Sequence, residues 1–249
     1  MRIDFNCDLG EGCGDDAAII PLITSASIAC GGHAGDEETM RTTLRLCRKY
    51  GVAAGAHPGY ADLTNFGRHQ VPLSYEEIME LVYDQLTRLD MIAAAEGVRL
   101  AHVKPHGALY NVAARDRNVA DAIASAVARF DPSLILFGLS GSQLTAAGEA
   151  AGLRVAHEVF AERRYEADGS LTPRNRDDAV IEGLDAALAQ VQTFVREGTV
   201  IARNGERIAL RADTLCLHGD RHDAAAFARA IREALLADGV QILAVGASA

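Results

Sequence analysis

Short apolar runs alternate along the chain with longer stretches in which apolar residues recur every three or four positions. Short runs are typical of buried strands, whereas the three-to-four spacing predicts helices that bury one face. A strong helix signal follows Ser74-x-x-Glu77, a capping-box sequence that introduces a long apolar stripe ended by Gly97. The pattern predicts strands at residues 3–6, 27–29, 52–54, 101–103, 134–137, 154–156 and 214–217, with a last short run at 241–245.

This alternation indicates repeated βα units, which form a parallel sheet with right-handed crossovers. We therefore predict an α/β fold, an irregular (β/α) TIM-like barrel of about seven parallel strands. Asn204-Gly205 lies between two apolar runs and is a strong two-residue turn signal, so a small β-hairpin insertion is expected near residues 199–210. No linker, low-complexity segment or internal repeat interrupts the pattern. We interpret residues 1–249 as one domain.

Five apolar runs end abruptly in clusters of Gly, His and acidic residues. In a parallel sheet the carboxyl ends of the strands lie on one side, where barrel enzymes place their chemistry. An open doubly wound sheet would concentrate such motifs at one switch point. Their spread along the chain therefore favours a closed barrel and an enzyme. The five segments are residues 6–12, 30–36, 55–60, 103–107 and 217–220.

Composition narrows the classes of partner. The chain has 249 residues and a formal net charge of −10, and its only lysines are Lys49 and Lys104. An acidic chain without a Lys/Arg cluster is not expected to bind nucleic acid or an anionic membrane surface. No apolar stretch approaches membrane-spanning length. Five cysteines without zinc-like spacing suit a reducing compartment, and with no secretory pattern at the start we expect a cytoplasmic protein.

The first segment offers two carboxylates, Asp8 and Glu11, with Asn6 two residues before Asp8. Strand alternation places Asn6 and Asp8 on the same face, which is the barrel mouth if that face is interior. Neighbouring carboxylates can have pKa values pushed apart, so that one acts as a base and the other as an acid. The same residues would also serve as turn and capping groups.

His33 and His57 follow successive predicted strands in glycine-rich loops. Glycine lets the backbone approach a ligand closely, and two histidines at successive strand ends favour a site over a structural role. With Asp8 they could bind a divalent metal as an Asp-His-His set. The spacing is not diagnostic, so the metal stays open.

Lys104 is placed immediately before Pro105-His106-Gly107. A lysine in a partly buried mouth can stabilise an oxyanion or a phosphate, or can lose its proton and act as a base. A salt bridge to a neighbouring acid is the structural alternative. His106 is its natural companion as acid or base, and Tyr110 follows closely enough to contact the same ligand.

The long loop after the sixth strand carries Glu158, Arg163 and Arg174. Arginines at a barrel mouth suit a carboxylate or phosphate clamp, although a solvated loop would have the same composition. His218 and Asp220 follow the next strand and make a weaker case.

In combination, these segments resemble the A subunit of bacterial ATP-dependent 5-oxoprolinases, the LamB/YcsF family. The resemblance covers nearly the whole chain in order, and one small departure is Glu162, where Asp is expected. It is carried by Asp4-Phe5-Asn6-Cys7-Asp8-Leu9-Gly10-Glu11, Cys30-Gly31-Gly32-His33-Ala34-Gly35-Asp36, Gly55-Ala56-His57-Pro58-Gly59-Tyr60, Phe66-Gly67-Arg68, Val103-Lys104-Pro105-His106-Gly107-Ala108-Leu109-Tyr110-Asn111, Glu158-Val159-Phe160-Ala161-Glu162-Arg163-Arg164-Tyr165, Leu171-Thr172-Pro173-Arg174 and Cys216-Leu217-His218-Gly219-Asp220.

The resemblance implies a barrel related to the glycoside hydrolase and deacetylase barrels. It also implies cleavage of 5-oxo-L-proline, or of its phosphorylated form, to L-glutamate with ATP hydrolysis and with partner subunits B and C. The ATP site is expected on one of these partners. The catalytic residues are expected to be Asp8, Glu11, His33, His57, Lys104 and His106, and the substrate-binding residues Asn6, Arg68, Tyr110, Glu158, Arg163 and Arg174.

Other classes of function stay open at this point. A stand-alone metal-dependent amide or carbohydrate deacetylase would use Asp8, His33 and His57 as metal ligands. A non-catalytic lactam-binding protein would bind 5-oxoproline without turnover, and a decarboxylase or isomerase could use the same residue types. The sequence identifies neither the general base nor the oligomeric state, and a homo-oligomer stays open.

Overall fold

Parallel strands close into a barrel in this computed structural model, which describes residues 1–221 and 223–247. The strands are β1 (Arg2–Leu9), β2 (Ser25–Ala29), β3 (Ala53–His57), β4 (His102–Val103), β5 (Ile135–Leu139), β6 (Arg154–Phe160), β7 (Thr199–Ile201), β8 (Arg207–Ala209), β9 (Thr214–His218) and β10 (Gln241–Ile242). Neighbouring strands pair in the order β1-β2-β3-β4-β5-β6-β9, and β9 also pairs with β1. Thr214 of β9 lies opposite Glu158 on one side and opposite Asp4 on the other. The predicted seven-stranded TIM-like barrel is therefore confirmed.

Helices connect the strands and pack around the barrel. They are α1 (Asp16–Ile19), α2 (Glu37–Tyr50), α3 (Tyr75–Ala95), α4 (Gly107–Ala113), α5 (Arg117–Phe130), α6 (Gln143–Ala150), α7 (Leu184–Glu197) and α8 (Ala224–Ala237), with a 3₁₀ turn at Ile20–Leu22. The capping box of α3 forms as the sequence predicts, with Ser74 and Glu77 each bonded to the other's backbone N–H. Among the described residues, no helix has both the length and the apolar character needed to cross a membrane.

The last apolar run does not extend the barrel. β10 pairs only with the first two residues of β1, because from Asp4 onward β1 is paired with β9. The run predicted at 241–245 therefore forms a two-residue strand, and Val245 packs against apolar side chains of β5 and β6. Strands β7 and β8 form a separate antiparallel pair around the Asn204-Gly205 turn.

The lumen of the barrel is polar along β1. Alternation turns Asp4, Asn6 and Asp8 to the same side, and all three are buried. Asp4 accepts hydrogen bonds from the hydroxyls of Ser25 in β2, of Thr24 just before it and of Thr214 in β9. Gly55 of β3 has a steric role, since a Cβ there would lie 2.3 Å from the His102 ring that stacks on Phe137. The His102 and Phe137 rings therefore fill this part of the barrel.

Candidate active site

Lys104 lies at the centre of a charge cluster in the barrel mouth. Its Nζ is 2.8 Å from Asp8 Oδ1 and 2.8 Å from Glu158 Oε1. It also donates to Asn6 Oδ1 at 3.1 Å and to Cys216 Sγ at 3.0 Å. Residues from β1, β6 and β9 therefore surround one ammonium group whose side chain is only 2% exposed.

The electrostatics of this cluster favour the charged lysine. Burial alone would lower the pKa of Lys104, but the neighbouring acids, Asp8 foremost, raise it well above its ordinary value. Burial also raises the pKa of Asp8, yet Lys104 and His218 outweigh it and hold that pKa below its usual range. Asp8 is therefore ionised at neutral pH. Burial raises the pKa of the Cys216 thiol well above its ordinary value despite Lys104, so this cysteine is a poor nucleophile.

Asn6 links the residues of this charge cluster by three hydrogen bonds. Its Nδ2 donates to Glu158 Oε1 at 2.9 Å and to Thr214 Oγ1 at 2.7 Å, which leaves its oxygen facing Lys104. We expected Asn6 to bind substrate. The side chain is instead fully buried and does not line the cavity, because its donors and acceptor are used by neighbouring lumen residues.

Three histidines and Glu11 form a second cluster beside the first. Glu11 Oε1 is 3.3 Å from His33 Nε2, 3.4 Å from His106 Nδ1 and 4.0 Å from His57 Nε2. His57 Nε2 is 2.9 Å from His106 Nδ1, and the His33 and His106 rings stack with centroids 3.6 Å apart. Burial lowers the pKa of His33 to about 4, and burial together with neighbouring charges raises that of Glu11 well above its usual range.

The observed cluster has a different carboxylate from the expected metal set and adds a third histidine. Sequence reasoning grouped Asp8 with His33 and His57, whereas the structure groups these histidines with Glu11 and His106. Asp8 Oδ2 is 3.5 Å from His57 Nε2, but Oδ1 faces the Lys104 ammonium. A cation already neutralises Asp8, so its place beside the histidines is taken by Glu11.

Both clusters open into one narrow cavity. Its enclosed space is about 30 Å³, room for little more than water. At the mouth, Arg68 forms an ion pair with Asp220 at 2.5 Å, and Arg174 Nη2 donates to His218 Nε2 at 2.9 Å. The lining residues are Asp8, Glu11, His57, Arg68, Lys104, Pro105, His106, Gly107, Tyr110, Asn111, Phe160, Arg163, Leu171, Arg174, His218 and Asp220.

Comparison with known proteins assigns the family. The sequence profile of the LamB/YcsF family matches residues 3–249. The chain belongs to this family. It is 51% identical over 250 residues to a protein from Bacillus subtilis named as the A subunit of 5-oxoprolinase, with 98% of this chain and 97% of that protein covered. A protein of the same name from Tolumonas auensis is 52% identical over 249 residues, with 98% and 99% covered.

A solved structure supports the architecture of this LamB/YcsF chain. The lactam utilization protein from Thermus thermophilus is 44% identical and superposes with a TM-score of 0.91, covering 98% of this chain and 100% of the other. A putative cellobiose-phosphate cleavage protein from Enterococcus faecalis has a TM-score of 0.54 at 12% identity, covering 97% and 96%. That second likeness shows the fold alone.

Most residues that sequence reasoning selected do meet at this mouth, although their roles remain predictions. Arg163 is buried and lines the cavity, but its Nε and Nη2 donate to backbone carbonyls of Ala179 and Thr172. Tyr110 is also buried, and its neighbour Glu158 adds to the effect of burial in raising the pKa of its hydroxyl.

Sequence reasoning gave little weight to the pair formed by Glu162 and His218. Glu162 Oε1 accepts from the ring Nδ1 and from the backbone N–H of His218. Burial raises the pKa of Glu162 to about 7 and lowers that of His218 well below its ordinary value. The available signal was the His218-Gly219-Asp220 sequence at a strand end. Nothing local to Glu162 indicated its partner, which is 56 residues away.

Proposed function

We propose that this chain is the A subunit of an ATP-dependent 5-oxoprolinase, which opens 5-oxo-L-proline to L-glutamate together with subunits B and C. Support comes from relatives about half identical to it that are named as the A subunit of 5-oxoprolinase. Within the chain, the observation that carries the proposal is the buried Lys104 ammonium, 2.8 Å from Asp8 Oδ1, at a cavity in the barrel mouth. We expect the complex in the cytoplasm.

The chemistry explains why ATP and partner chains are needed. A five-membered lactam closes readily, so its hydrolysis benefits from phosphorylation of the amide carbonyl. One lactam, one ATP and two water molecules then give glutamate, ADP and phosphate. The glycine-rich turn at residues 138–142 lacks the lysine of a phosphate-binding loop, so we assign ATP to one of the partner chains.

Asp8 and Lys104 divide the work of ring opening. Water adds to C5 of the activated lactam as Asp8 accepts its proton, because the neighbouring ammonium keeps this carboxylate ionised. Lys104, whose ammonium is buried, stabilises the negative charge that develops on the heteroatoms bonded to C5. The C5–N bond then breaks, and the ring nitrogen takes up a proton to become the amine. The acyl phosphate that this leaves at C5 reacts with the second water, which releases phosphate and gives glutamate.

Arg174 and Arg68 are the anchors that we assign to the substrate carboxylate. Both line the cavity, and Arg174 contacts His218 rather than an acid. Both arginines also line an adjoining cavity of about 650 Å³, which has room for a five-membered lactam with its carboxylate. The Arg68–Asp220 pair is partly exposed and can open to let Arg68 bind that carboxylate.

The test is a glutamate-release assay on 5-oxoproline, with and without ATP and candidate B and C subunits. We expect release only from the complete mixture, and at least about a 100-fold lower rate with the Lys104→Met chain. Lys49→Met is the matched control, since Lys49 is the other lysine and lies exposed on α2. Lactam binding without turnover in the complete mixture would make the chain a carrier instead.

A second candidate is a stand-alone metal-dependent amide or carbohydrate deacetylase. The specific observation that favours it is the cluster of three histidines and Glu11 at the cavity. Metal-dependent release of acetate or of glutamate by the chain alone, without ATP, would support this candidate over the first.

A further inference from the structure

The cluster of Glu11, His33, His57 and His106 presents lone pairs to one another. The carbonyl of Lys104 can only accept a hydrogen bond, so His57 Nδ1, 2.7 Å away, must carry a hydrogen. By the same argument His106 Nε2 carries a hydrogen toward the carbonyl of Phe66 at 2.9 Å. In neutral rings this leaves His57 Nε2 and His106 Nδ1 as acceptors, and these two atoms face each other at 2.9 Å.

A single proton shared by His57 and His106 would not give every buried acceptor of the cluster a hydrogen-bond donor. One proton between His57 and His106 would bridge a single pair of atoms. Glu11 Oε1 would still approach His33 Nε2 and His106 Nδ1 at 3.3 and 3.4 Å, and one carboxylate oxygen serves both. His33 Nδ1 is buried and has no hydrogen-bond partner among the described residues. The cluster therefore holds more buried acceptors than donors.

The distances match the edges of a coordination polyhedron. Metal–nitrogen and metal–oxygen bonds of about 2.0–2.1 Å in a tetrahedron imply ligand–ligand edges of about 3.3–3.4 Å. Four of the six separations between ligand atoms are 2.9, 3.3, 3.4 and 4.0 Å, and all six lie within 4.8 Å. Histidine ligands of metals also donate their second N–H to a carbonyl or carboxylate, which fixes the ring. His57 and His106 both do so.

We propose that Glu11, His33, His57 and His106 bind one divalent transition-metal cation. Three imidazoles and one carboxylate suit Zn²⁺, Fe²⁺ or Ni²⁺ rather than Mg²⁺ or Ca²⁺, which prefer oxygen ligands. Glu11, His57 and His106 line the cavity, so the cation would face the substrate. A metal there supplies Lewis-acid chemistry to a carbonyl oxygen or a water. This inference deepens the proposed function, and the identity of the substrate rests on that function. The binding of the metal does not depend on it.

The test is a titration of chelator-treated chain with Co²⁺, read as visible absorption and as metal bound per chain, followed by competition with Zn²⁺. We expect one Co²⁺ per chain with the intense visible bands of a four- or five-coordinate ion. Glu11→Gln and His57→Gln should each weaken binding by at least about 100-fold. His69→Gln is the matched control, because His69 is exposed and lies outside the cluster.

Two further readouts keep the inference separable from folding and from activity. Circular dichroism identifies variants that do not fold, and Glu11→Gln keeps nearly the same side-chain shape. Zn²⁺ should raise the Tm of the wild-type chain and of His69→Gln, but not that of Glu11→Gln. Equal Co²⁺ affinity in wild type and in both cluster variants, or no stoichiometric binding by wild type, would overturn the proposal. Metal binding without glutamate release by the complete mixture would contradict the proposed function alone.

Discussion

Replacing Lys104 by methionine removes the ammonium and leaves Asp8 and Glu158 without their shared counterion. Both carboxylates approach Nζ at 2.8 Å, and Glu158 is fully buried. Breaking a buried ion pair by removing one partner costs about 3–5 kcal/mol. We expect a loss of this size at pH 7, a large part of the roughly 5–15 kcal/mol that stabilises a typical domain. Lys49→Met should change stability by less than about 0.5 kcal/mol.

The loss should depend on pH in a defined direction. Burial already raises the pKa of Glu158 above its ordinary value of 4.5, and Lys104 opposes this rise. Without Lys104 the folded-state pKa rises further, so the protonated form is favoured in the folded chain. The variant should then be least destabilised near or below pH 4.5, and its stability should fall relative to wild type as pH rises through the new pKa.

The free energy of unfolding is measured at each pH by urea unfolding. Circular dichroism is the signal, because the chain contains no tryptophan for fluorescence. The double variant Lys104→Met/Glu158→Gln should recover at least about 1 kcal/mol relative to the single variant, because it removes one of the stranded charges. A single variant within about 1 kcal/mol of wild type at both pH 5 and pH 7 would refute the charge cluster as described.

Three further predictions concern other parts of the chain. Gly55→Ala should lose about 1–3 kcal/mol in urea unfolding, because the new Cβ would meet the His102 ring at 2.3 Å, whereas Gly183→Ala has open space and should not. Arg174→Ala should raise KM for 5-oxoproline about 10- to 100-fold with a smaller change in kcat, as expected on losing a charged hydrogen bond; an unchanged KM would exclude this anchor. Glu162 has its folded pKa raised from 4.5 to about 7, so its contribution to stability is full below pH 4.5 and is lost as pH rises toward 7. Glu162→Gln should therefore flatten the pH dependence of unfolding in that window, by on the order of 3 kcal/mol.

The sequence predicted the barrel because its signals are local. The capping box at Ser74, the turn at Asn204-Gly205 and the apolar runs each specify an element within a few residues. The spread of polar strand ends predicted a closed barrel, and the structure shows that β9 closes it by pairing with β1. The length of β10 could not be predicted from local signals. It depends on which residues of β1 stay unpaired after β9 closes the barrel.

The sequence predicted which residues lie at the site better than it predicted which of them contact one another. Strand ends identified Asp8, His57 and Lys104 as neighbours, since parallel strands share one mouth. Which carboxylate faces Lys104 and which faces the histidines depends on side-chain directions at the end of β1 and in the loop after it. There the chain turns, so that Asp8 meets Lys104 while Glu11 meets the histidines. The pair of Glu162 and His218 joins two distant loops, and spacing along the chain carries no information about it.

Lys104 contributes its ammonium to one cluster and its backbone carbonyl to the other. The two clusters can therefore be tested separately. The ammonium neutralises Asp8, whereas the backbone carbonyl orients the His57 ring at 2.7 Å. Lys104→Met removes the first group and keeps the second. The variant should therefore lose glutamate release yet bind Co²⁺ with wild-type stoichiometry and with equal or higher affinity, because a nearby positive charge is gone. If metal binding in a folded Lys104→Met chain fell along with activity, the two clusters would form one electrostatic unit, and the separate roles assigned to them would be wrong.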